Sequence, residues 1–454
     1  MNTKLWQEIQ NFQFEDSIEE YGFVVRLSKE NYWTKNFTQK VILEYKKFMY
    51  LAATSESMVS PSEIIDVVWH QHLIFTKSYT EFCELLGKNI QHVPSTRSKE
   101  DFEKFSQAKI HTRKIYQENF GDLPASIWSF SGMYESLKLE KSKYKLRTKI
   151  IYGILICLAL LLPFFFLLKP IYINIDNPFF LIGYVIVFII TLIALSLYNK
   201  VTFESTIKKI NSSSFIFDLD ISELLFMKNQ SNFDYITSLV NNLIINGAIT
   251  VNSTNRLQLK DKSKAKDEEE QQIVDVLGEF EIVSYPELFR SLSYKPIFGN
   301  NPNFVFAFSK YFQKSKIFNS VYMLNFGVLS FLVILSITRL LIGLSRDKPV
   351  EQLIPTILLS IFVMYFFLEY LKKAFLKKVI PNFYKNEIIP KCRLDDDIHW
   401  KYFLFGSGIL ADAFYPIVNE FQRKDSNYFG DSSSSCGSSC GSSCGSSCGG
   451  CGGD

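Results

Sequence analysis

The sequence predicts a mainly α fold: a four-helix integral membrane protein with an N-terminal helical cytoplasmic domain and a central winged-helix-like α+β domain. Three observations lead to this prediction. The 454-residue chain is 47% hydrophobic and only 21% charged. Its apolar residues are concentrated in four runs, each near the length of about 20 residues that crosses a bilayer. Lys and Arg flank these runs unevenly, which predicts their orientation.

Residues 1–135 are predicted to form the helical cytoplasmic domain. Residues 1–16 lack a basic stretch followed by an apolar core, so we expect no signal peptide. The sequence Ser60-Pro61-Ser62-Glu63 predicts a helix start, with a capping box and Pro at the first helical position. That helix should continue to Leu73. A second helix should cover Lys77–Leu86 and end at Gly87.

Four apolar runs are predicted to span the membrane as two hairpins, residues 150–198 and residues 321–371. The first two runs contain no charged residue, which favours membrane helices over buried core helices. The third contains Arg339, which we interpret as an anchor that snorkels to the headgroups rather than as an anion or proton site. The four runs are Ile150–Leu168, Pro178–Tyr198, Val321–Leu344 and Leu353–Leu371.

Basic residues near the span ends predict the orientation. Sixteen Lys and Arg residues, six of them in or beside the basic juxtamembrane segment 136–149, lie on the side of the termini and the central domain. Three lie in the two short connecting loops near residues 169–177 and 345–352. Because cytoplasmic segments carry the basic excess, both termini are predicted to be cytoplasmic, at the inner (cytoplasmic) membrane. The connecting loops are too short to hold a receptor or enzyme domain.

Residues 199–320 are predicted to form the winged-helix-like domain. DNA binding would need a basic recognition helix, but the second helix of the pattern carries Asp234 and neither Lys nor Arg. We therefore expect no nucleic-acid partner and favour a protein-contact or structural role. The predicted helices are Asp220–Met227, Phe233–Asn246, Gln271–Phe280 and Tyr285–Leu292, and the predicted strands are Ala248–Asn252 and Arg256–Lys260.

Two segments follow the last span. Residues 372–430 are predicted to be a cytoplasmic helical or amphipathic segment. Within it, Tyr402–Val418 is apolar but contains Asp412, Gly406 and Gly408, so we expect a helix lying on the membrane or on the protein rather than a fifth span. Residues 431–454 contain no apolar residue apart from cysteine, which predicts a disordered tail.

The strongest local constellation for chemistry lies between residues 66 and 92. Three of the five histidines of the chain fall here. Asp66 and His70 are four residues apart and share a helix face, whereas His70 and His72 point to nearly opposite sides. His70, Cys83 and His92, with Asp66, would offer zinc or another soft transition metal its usual ligand types. The spacing fits no standard zinc motif, and we favour a structural role in which a His–Asp hydrogen bond braces two helices.

The tail is a second candidate metal site. Cysteines every four residues in a flexible chain could wrap a soft ion such as Zn²⁺ or Cu(I). They could instead be lipidated, be enzymatically modified or remain free thiols. Metal capture is the favoured chemistry. The tail cysteines are Cys436, Cys440, Cys444, Cys448 and Cys451.

The first of these constellations resembles the signature of the glycine-rich domain-containing protein family. The pattern is an acidic residue, Trp-His, Tyr, Cys, Gly and a late His, and the resemblance covers about residues 20–120. It implies no established catalytic residues. The matching positions are Pro61, Asp66-x-x-Trp69-His70, Tyr79-x-x-Phe82-Cys83, Gly87 and His92-x-Pro94.

About residues 200–454 are similar to a family of uncharacterised bacterial membrane proteins with a Cys-Gly repeat tail. This resemblance implies no activity. Besides the tail, the matching features are Glu223-Leu224-Leu225, Asn246-Gly247-Ala248, the segment 343–349 and Phe405-Gly406-Ser407-Gly408.

These patterns favour a membrane-anchored interaction or scaffold protein with the lipid bilayer and cytoplasmic proteins as its partners. The alternative is a metal-binding or metal-handling membrane protein that uses the tail and the His/Cys cluster. A metal-dependent enzyme is the weaker alternative, because the sequence has no Walker loop, dinucleotide-binding glycine pattern, nucleophile elbow or H-E-x-x-H. A transporter is disfavoured, since a solute path normally needs a polar lining.

Overall fold

The computed structural model describes residues 2–14, 21–93, 99–392 and 397–429, and these residues are mainly helical, as predicted. The N-terminal region, residues 2–137, is a cluster of helices around one aromatic core. Its α-helices are α1 (Thr3–Asn11), α2 (Phe23–Asn31), α3 (Lys35–Thr54), α4 (Glu63–Ile74), α5 (Thr76–Leu86), α6 (Lys99–Phe120) and α7 (Ala125–Trp128).

The start of α4 differs from the prediction. Ser62, not Ser60, is the N-cap, and its side chain accepts a hydrogen bond from the backbone of Ile65 at 3.3 Å. The backbone N–H of Ser60 instead donates to Thr112 Oγ1 on α6 at 2.9 Å, so Pro61 precedes the helix. The predicted end of α5 is confirmed, because Gly87 caps it with the left-handed φ of 67° that glycine tolerates.

Two long apolar helices follow, α8 (Leu146–Tyr172) and α9 (Asn177–Lys209). Both are long and apolar enough to cross a membrane, which confirms the first two predicted spans. Most of their side chains face outward from the protein, as expected for surfaces that contact lipid.

The central region, residues 215–313, pairs a helical layer with a small sheet. The predicted order of helix, helix and hairpin is present, and a two-residue third strand joins it, so that the described residues form one antiparallel sheet of order β1-β2-β3. The elements are α10 (Ile221–Asn229), α11 (Phe233–Ile245), β1 (Ile249–Val251), β2 (Leu257–Leu259), α12 (Glu268–Phe280), β3 (Ile282–Val283), α13 (Tyr285–Ser293) and α14 (Asn300–Gln313).

The second membrane pair is α15 (Lys316–Leu344) and α16 (Leu353–Ala374). With α8 and α9 they make four candidate spans in the described part of the chain, as predicted. The helix of α16 continues to Cys392 through two π-helical turns, Phe375–Val379 and Tyr384–Ile388. Each turn precedes a proline, and because proline has no backbone N–H the regular ladder is interrupted there. α17 (Ile380–Phe383) and α18 (Ile389–Cys392) complete this helix.

Helix α15 lies at the centre of the membrane bundle, where it contacts α8, α9 and α16. Its Arg339 is buried, and its guanidinium donates to the backbone carbonyls of Tyr172 and Ile175 at the end of α8. Carbonyls at a helix C-terminus lack intrahelical partners and attract cations. Arg339 therefore binds the end of a neighbouring helix, and its interpretation as a snorkelling anchor stays a prediction.

The apolar segment 402–418 packs against the central region. It includes the end of α19 (Ile398–Phe405) and the start of α20 (Tyr415–Phe429). Helix α19 contacts α11, and Tyr402, Phe403 and Phe414 are buried. Of the two expected positions, the structure therefore shows the one on the protein.

The N-terminal and central regions are joined by polar contacts at the start of α3. The Lys35 ammonium pairs with Glu269, and its backbone N–H donates to Glu223 Oε1 at 2.7 Å. Lys40 Nζ lies 2.6 Å from Asp218 Oδ2. Burial raises the pKa of the Glu223 carboxyl to about 8. These contacts fix the two regions as neighbours.

A pair of amides joins α9 to α15, and it predicts a coupled effect on stability. Asn199 and Asn325 are buried and exchange two hydrogen bonds, of 2.9 and 2.7 Å. We expect Asn325→Leu or Asn199→Leu to lower the unfolding free energy by about 1 kcal/mol, because the remaining amide loses its partner. The double variant should lose less than the sum. Thermal unfolding of the full chain in detergent measures this, and additive losses would contradict the coupling.

Candidate metal centre

Helix α4 presents two faces with different chemistry. Its inner face is apolar, with Ile64, Ile65 and Val68 fully buried against α3 and α5. Asp66 and His70 lie one turn apart on the outer face, where their side chains are 39% and 59% exposed. The helical period of 3.6 residues thus places both potential ligands at the surface.

His92 reaches the same surface because the chain reverses after Gly87. A chain of hydrogen bonds fixes the returning segment: Trp69 Nε1 donates to Tyr79 Oη at 3.0 Å, and the Tyr79 hydroxyl donates to the carbonyl of Ile90. The Trp69 ring then packs edge-on against the His92 imidazole, with ring centroids 4.6 Å apart. His92 is consequently only 17% exposed and is the most buried member of the site.

Asp66, His70 and His92 form what we call the acid–histidine cluster. Asp66 Oδ1 lies 3.0 Å from His92 Nε2, and Asp66 Oδ2 lies 3.4 Å from His70 Nε2. The three ligand atoms lie within 4.8 Å of one another. Two imidazole nitrogens and one carboxylate oxygen are suitable ligands for zinc or a similar transition metal, and three protein ligands leave coordination positions open.

An open cleft of about 510 Å³ adjoins His70. Its walls include Glu30, Val67 and Ile74, and Ile74 is 57% exposed. Solvent can therefore reach the cluster from the His70 side, while His92 is covered by Trp69. The geometry suits a metal with exchangeable ligands better than a closed structural site.

Cys83 is not brought into the cluster. It is buried on α5 and lies beside Tyr79. Burial raises the pKa of the Tyr79 hydroxyl to about 12, and Cys83 adds to this shift. The structure thus gathers three of the four predicted ligands from this constellation. The five tail cysteines lie outside the described residues.

His72 faces the core, as its spacing from His70 predicts. Its ring is fully buried, with Nδ1 2.9 Å from Tyr45 Oη and Nε2 3.2 Å from Ser78 Oγ. Burial lowers the pKa of His72 to about 3, so the ring is neutral at ordinary pH. Sequence reasoning missed Tyr45 and Ser78 as its partners, because they belong to other helices and no local pattern marks them.

One family model matches part of the chain. Residues 6–117 match a family described as UCP032817-like, and this segment contains the acid–histidine cluster. No curated protein and no solved structure matches the chain. The similarity is thus limited to the N-terminal region, and the description of the family names no activity.

The buried His72 predicts a pH-dependent stability. Its folded pKa of about 3 lies below the usual histidine value of 6.5, so the stabilisation by the neutral ring is present above pH 6.5 and is lost as the pH falls towards 3. His72→Gln keeps hydrogen-bonding capacity without this titration. Between pH 7 and pH 5 its unfolding free energy should fall by about 2 kcal/mol less than that of the unaltered chain. Thermal unfolding across this pH range measures the effect.

His111→Gln is the matched control, because it removes a partly exposed histidine of the same region that lies outside the cluster. Its stability profile should follow that of the unaltered chain. Equal profiles for His72→Gln and the unaltered chain would contradict the assignment of His72 as a buried neutral ring.

Proposed function

We propose that this protein is a membrane-anchored, metal-binding protein that holds a transition metal ion, with zinc as the first candidate, at the acid–histidine cluster. The observation that carries this proposal is the convergence of Asp66, His70 and His92 from two separate segments, with ligand atoms within 4.8 Å. The metal would replace the hydrogen bond that now joins the carboxylate to His92 and the looser contact between the carboxylate and His70. The cleft beside His70 leaves room for a water or a substrate ligand.

The membrane location supports an anchoring role for the four helices. We propose that they lie in the inner membrane, with both termini and the central region in the cytoplasm, because the basic residues are concentrated on that side. The acid–histidine cluster would then face the cytoplasm. Metal handling by the cysteine tail belongs to the same proposal, since thiolates favour soft ions.

The second candidate is the interaction or scaffold function, and it is favoured by the central region. We propose that this region is winged-helix-like but does not bind DNA. Helix α11, which occupies the recognition position, packs against α19, and the Tyr402 hydroxyl donates to Asp234 Oδ1 at 3.1 Å. A covered, acidic helix offers no basic face to a DNA groove. A metal-dependent enzyme remains the weaker alternative.

Metal analysis of the full chain tests the first proposal. The protein would be prepared without chelators or a histidine tag, and with the five tail cysteines replaced by serine, so that only the cluster contributes. We expect about one zinc ion per chain, and at least about a 100-fold weaker affinity in His70→Ala and His92→Ala, since even second-shell changes cost 10–100-fold. Elemental analysis and calorimetric titration with Zn²⁺ measure both quantities.

His111→Ala is the matched control. His111 belongs to the same region but contacts Ser55, with Nε2 3.2 Å from its Oγ, and lies outside the cluster. Its metal content should be unchanged, and the intact tail should add further metal in a parallel titration. A folded chain without metal, or one that keeps its metal when both cluster histidines are replaced, would leave Asp66 as a structural brace and favour the scaffold function.

The orientation predicts protease protection in cells. Epitopes placed before Met1 or after Asp454 should resist external protease in spheroplasts and become cleavable only after permeabilisation. An epitope inserted at residue 348, in the second connecting loop, serves as the exposed control. Cleavage of the terminal epitopes without permeabilisation would reverse the orientation.

A further inference from the structure

A separate cavity of about 560 Å³ lies between the N-terminal and central regions. One wall is the face of α3 that carries Lys35, Gln39, Ile42 and Lys46, and the other includes residues of α10, α12 and α14. The volume lies within the range of small-molecule sites, which often occur where two folded units meet. The cavity shares no lining residue with the acid–histidine cluster.

Lys46 is the unusual residue of this cavity. It is only 8% exposed, and its Nζ donates to the backbone carbonyls of Gln10 at 2.9 Å and Phe12 at 2.7 Å. Among the described residues, no carboxylate forms an ion pair with it. Burial lowers the pKa of its ammonium to about 8. An ammonium has three donors and the two carbonyls accept from two of them, so the third can meet an anionic ligand in the cavity.

The surroundings of Lys46 are apolar. Phe12, Phe14 and Ile42 line the same end of the cavity, and Lys46 Nζ lies 5.3 Å from the centre of the Phe14 ring. A ligand whose charged group meets Lys46 must therefore place an apolar body against these side chains. Inorganic phosphate, which has no such body, would gain only the charge contact.

The other end of the cavity carries groups of both signs. Glu223, Glu268 and Glu269 line it together with Lys35 and Lys295, and the Lys35 ammonium pairs with Glu269. Lys35 and Lys46 are eleven positions apart on one helix, which corresponds to about 16 Å. The Lys46 end and this mixed end are thus well separated.

We propose that this cavity binds a small organic monocarboxylate, with its carboxylate on Lys46 Nζ and its apolar body against Phe12, Phe14 and Ile42. A dicarboxylate would have to bury its second charge against these apolar side chains, which selects against it. This proposal is independent of the metal site, because it uses none of the cluster residues.

Calorimetric titration of the full chain in lipid nanodiscs tests the proposal, with hexanoate as the probe and empty nanodiscs as the correction for partition into lipid. Hexanoate should bind, and Lys46→Met should weaken binding at least about tenfold, because the charge-assisted contact is lost while the apolar stem remains. Lys114→Met, which removes an exposed lysine of α6 in the same region, is the matched control and should keep the affinity.

Three further probes define the ligand class. Adipate carries a second charge, 1-hexanol lacks the carboxylate and inorganic phosphate lacks the apolar body. Each should therefore bind at least about tenfold more weakly than hexanoate. Ile42→Trp, which fills the cavity and leaves the ammonium in place, should abolish hexanoate binding, and thermal unfolding verifies that each variant folds. No binding to the unaltered chain, or equal binding to Lys46→Met, would overturn the site, and equal affinity for adipate would overturn the monocarboxylate class.

Discussion

Burial of an uncharged imidazole is the constraint on which the geometry of the candidate metal centre depends. His72 is enclosed between α3 and α5, and each ring nitrogen meets a hydroxyl group, from Tyr45 or Ser78. A hydroxyl can donate or accept, so either neutral tautomer is satisfied, whereas a charged ring would lose its hydration without gaining a counter-charge. With the inner face of α4 held in this way, Asp66 and His70 must lie on the outer face, where His92 meets them.

The same requirement, that a buried polar group needs a partner, organises the membrane bundle. Helix α15 touches the other three spans, and its polar side chains reach specific groups on its neighbours. Arg339 satisfies carbonyls at the end of α8, and Asn325 exchanges hydrogen bonds with Asn199 of α9. Apolar contacts between helices differ little from contacts with lipid, so these polar contacts define which helix lies beside which.

The sequence predicted features that depend on local patterns and missed those that depend on distant partners. The four spans follow from length and hydropathy, and Gly87 ends its helix by its own conformation. The start of α4 could not be predicted, because Ser60 and Ser62 are both suitable caps. The backbone N–H of Ser60 donates to Thr112, which lies fifty-two positions away in the sequence. Cys83 was a reasonable ligand by type, but its position on α5 turns it towards Tyr79. The sequence suggested a bracing His–Asp hydrogen bond. Only the structure shows that Asp66 pairs with His92, because the packing of their two segments brings them together.

Lys35 and Lys46 lie on one face of α3 but differ in the partners of their ammonium groups, which indicates a structural role for the first and a binding role for the second. Lys35 gives its ammonium to Glu269 and its backbone to Glu223, so its charge is used to join the two regions. Lys46 is more deeply buried, and within the described residues its ammonium meets backbone carbonyls and an aromatic ring. Carbonyl dipoles hold the ammonium in position without neutralising it, which favours an anion in the adjoining space. Helix α3, which joins the two regions, therefore also carries the ammonium that a ligand in the cavity would contact.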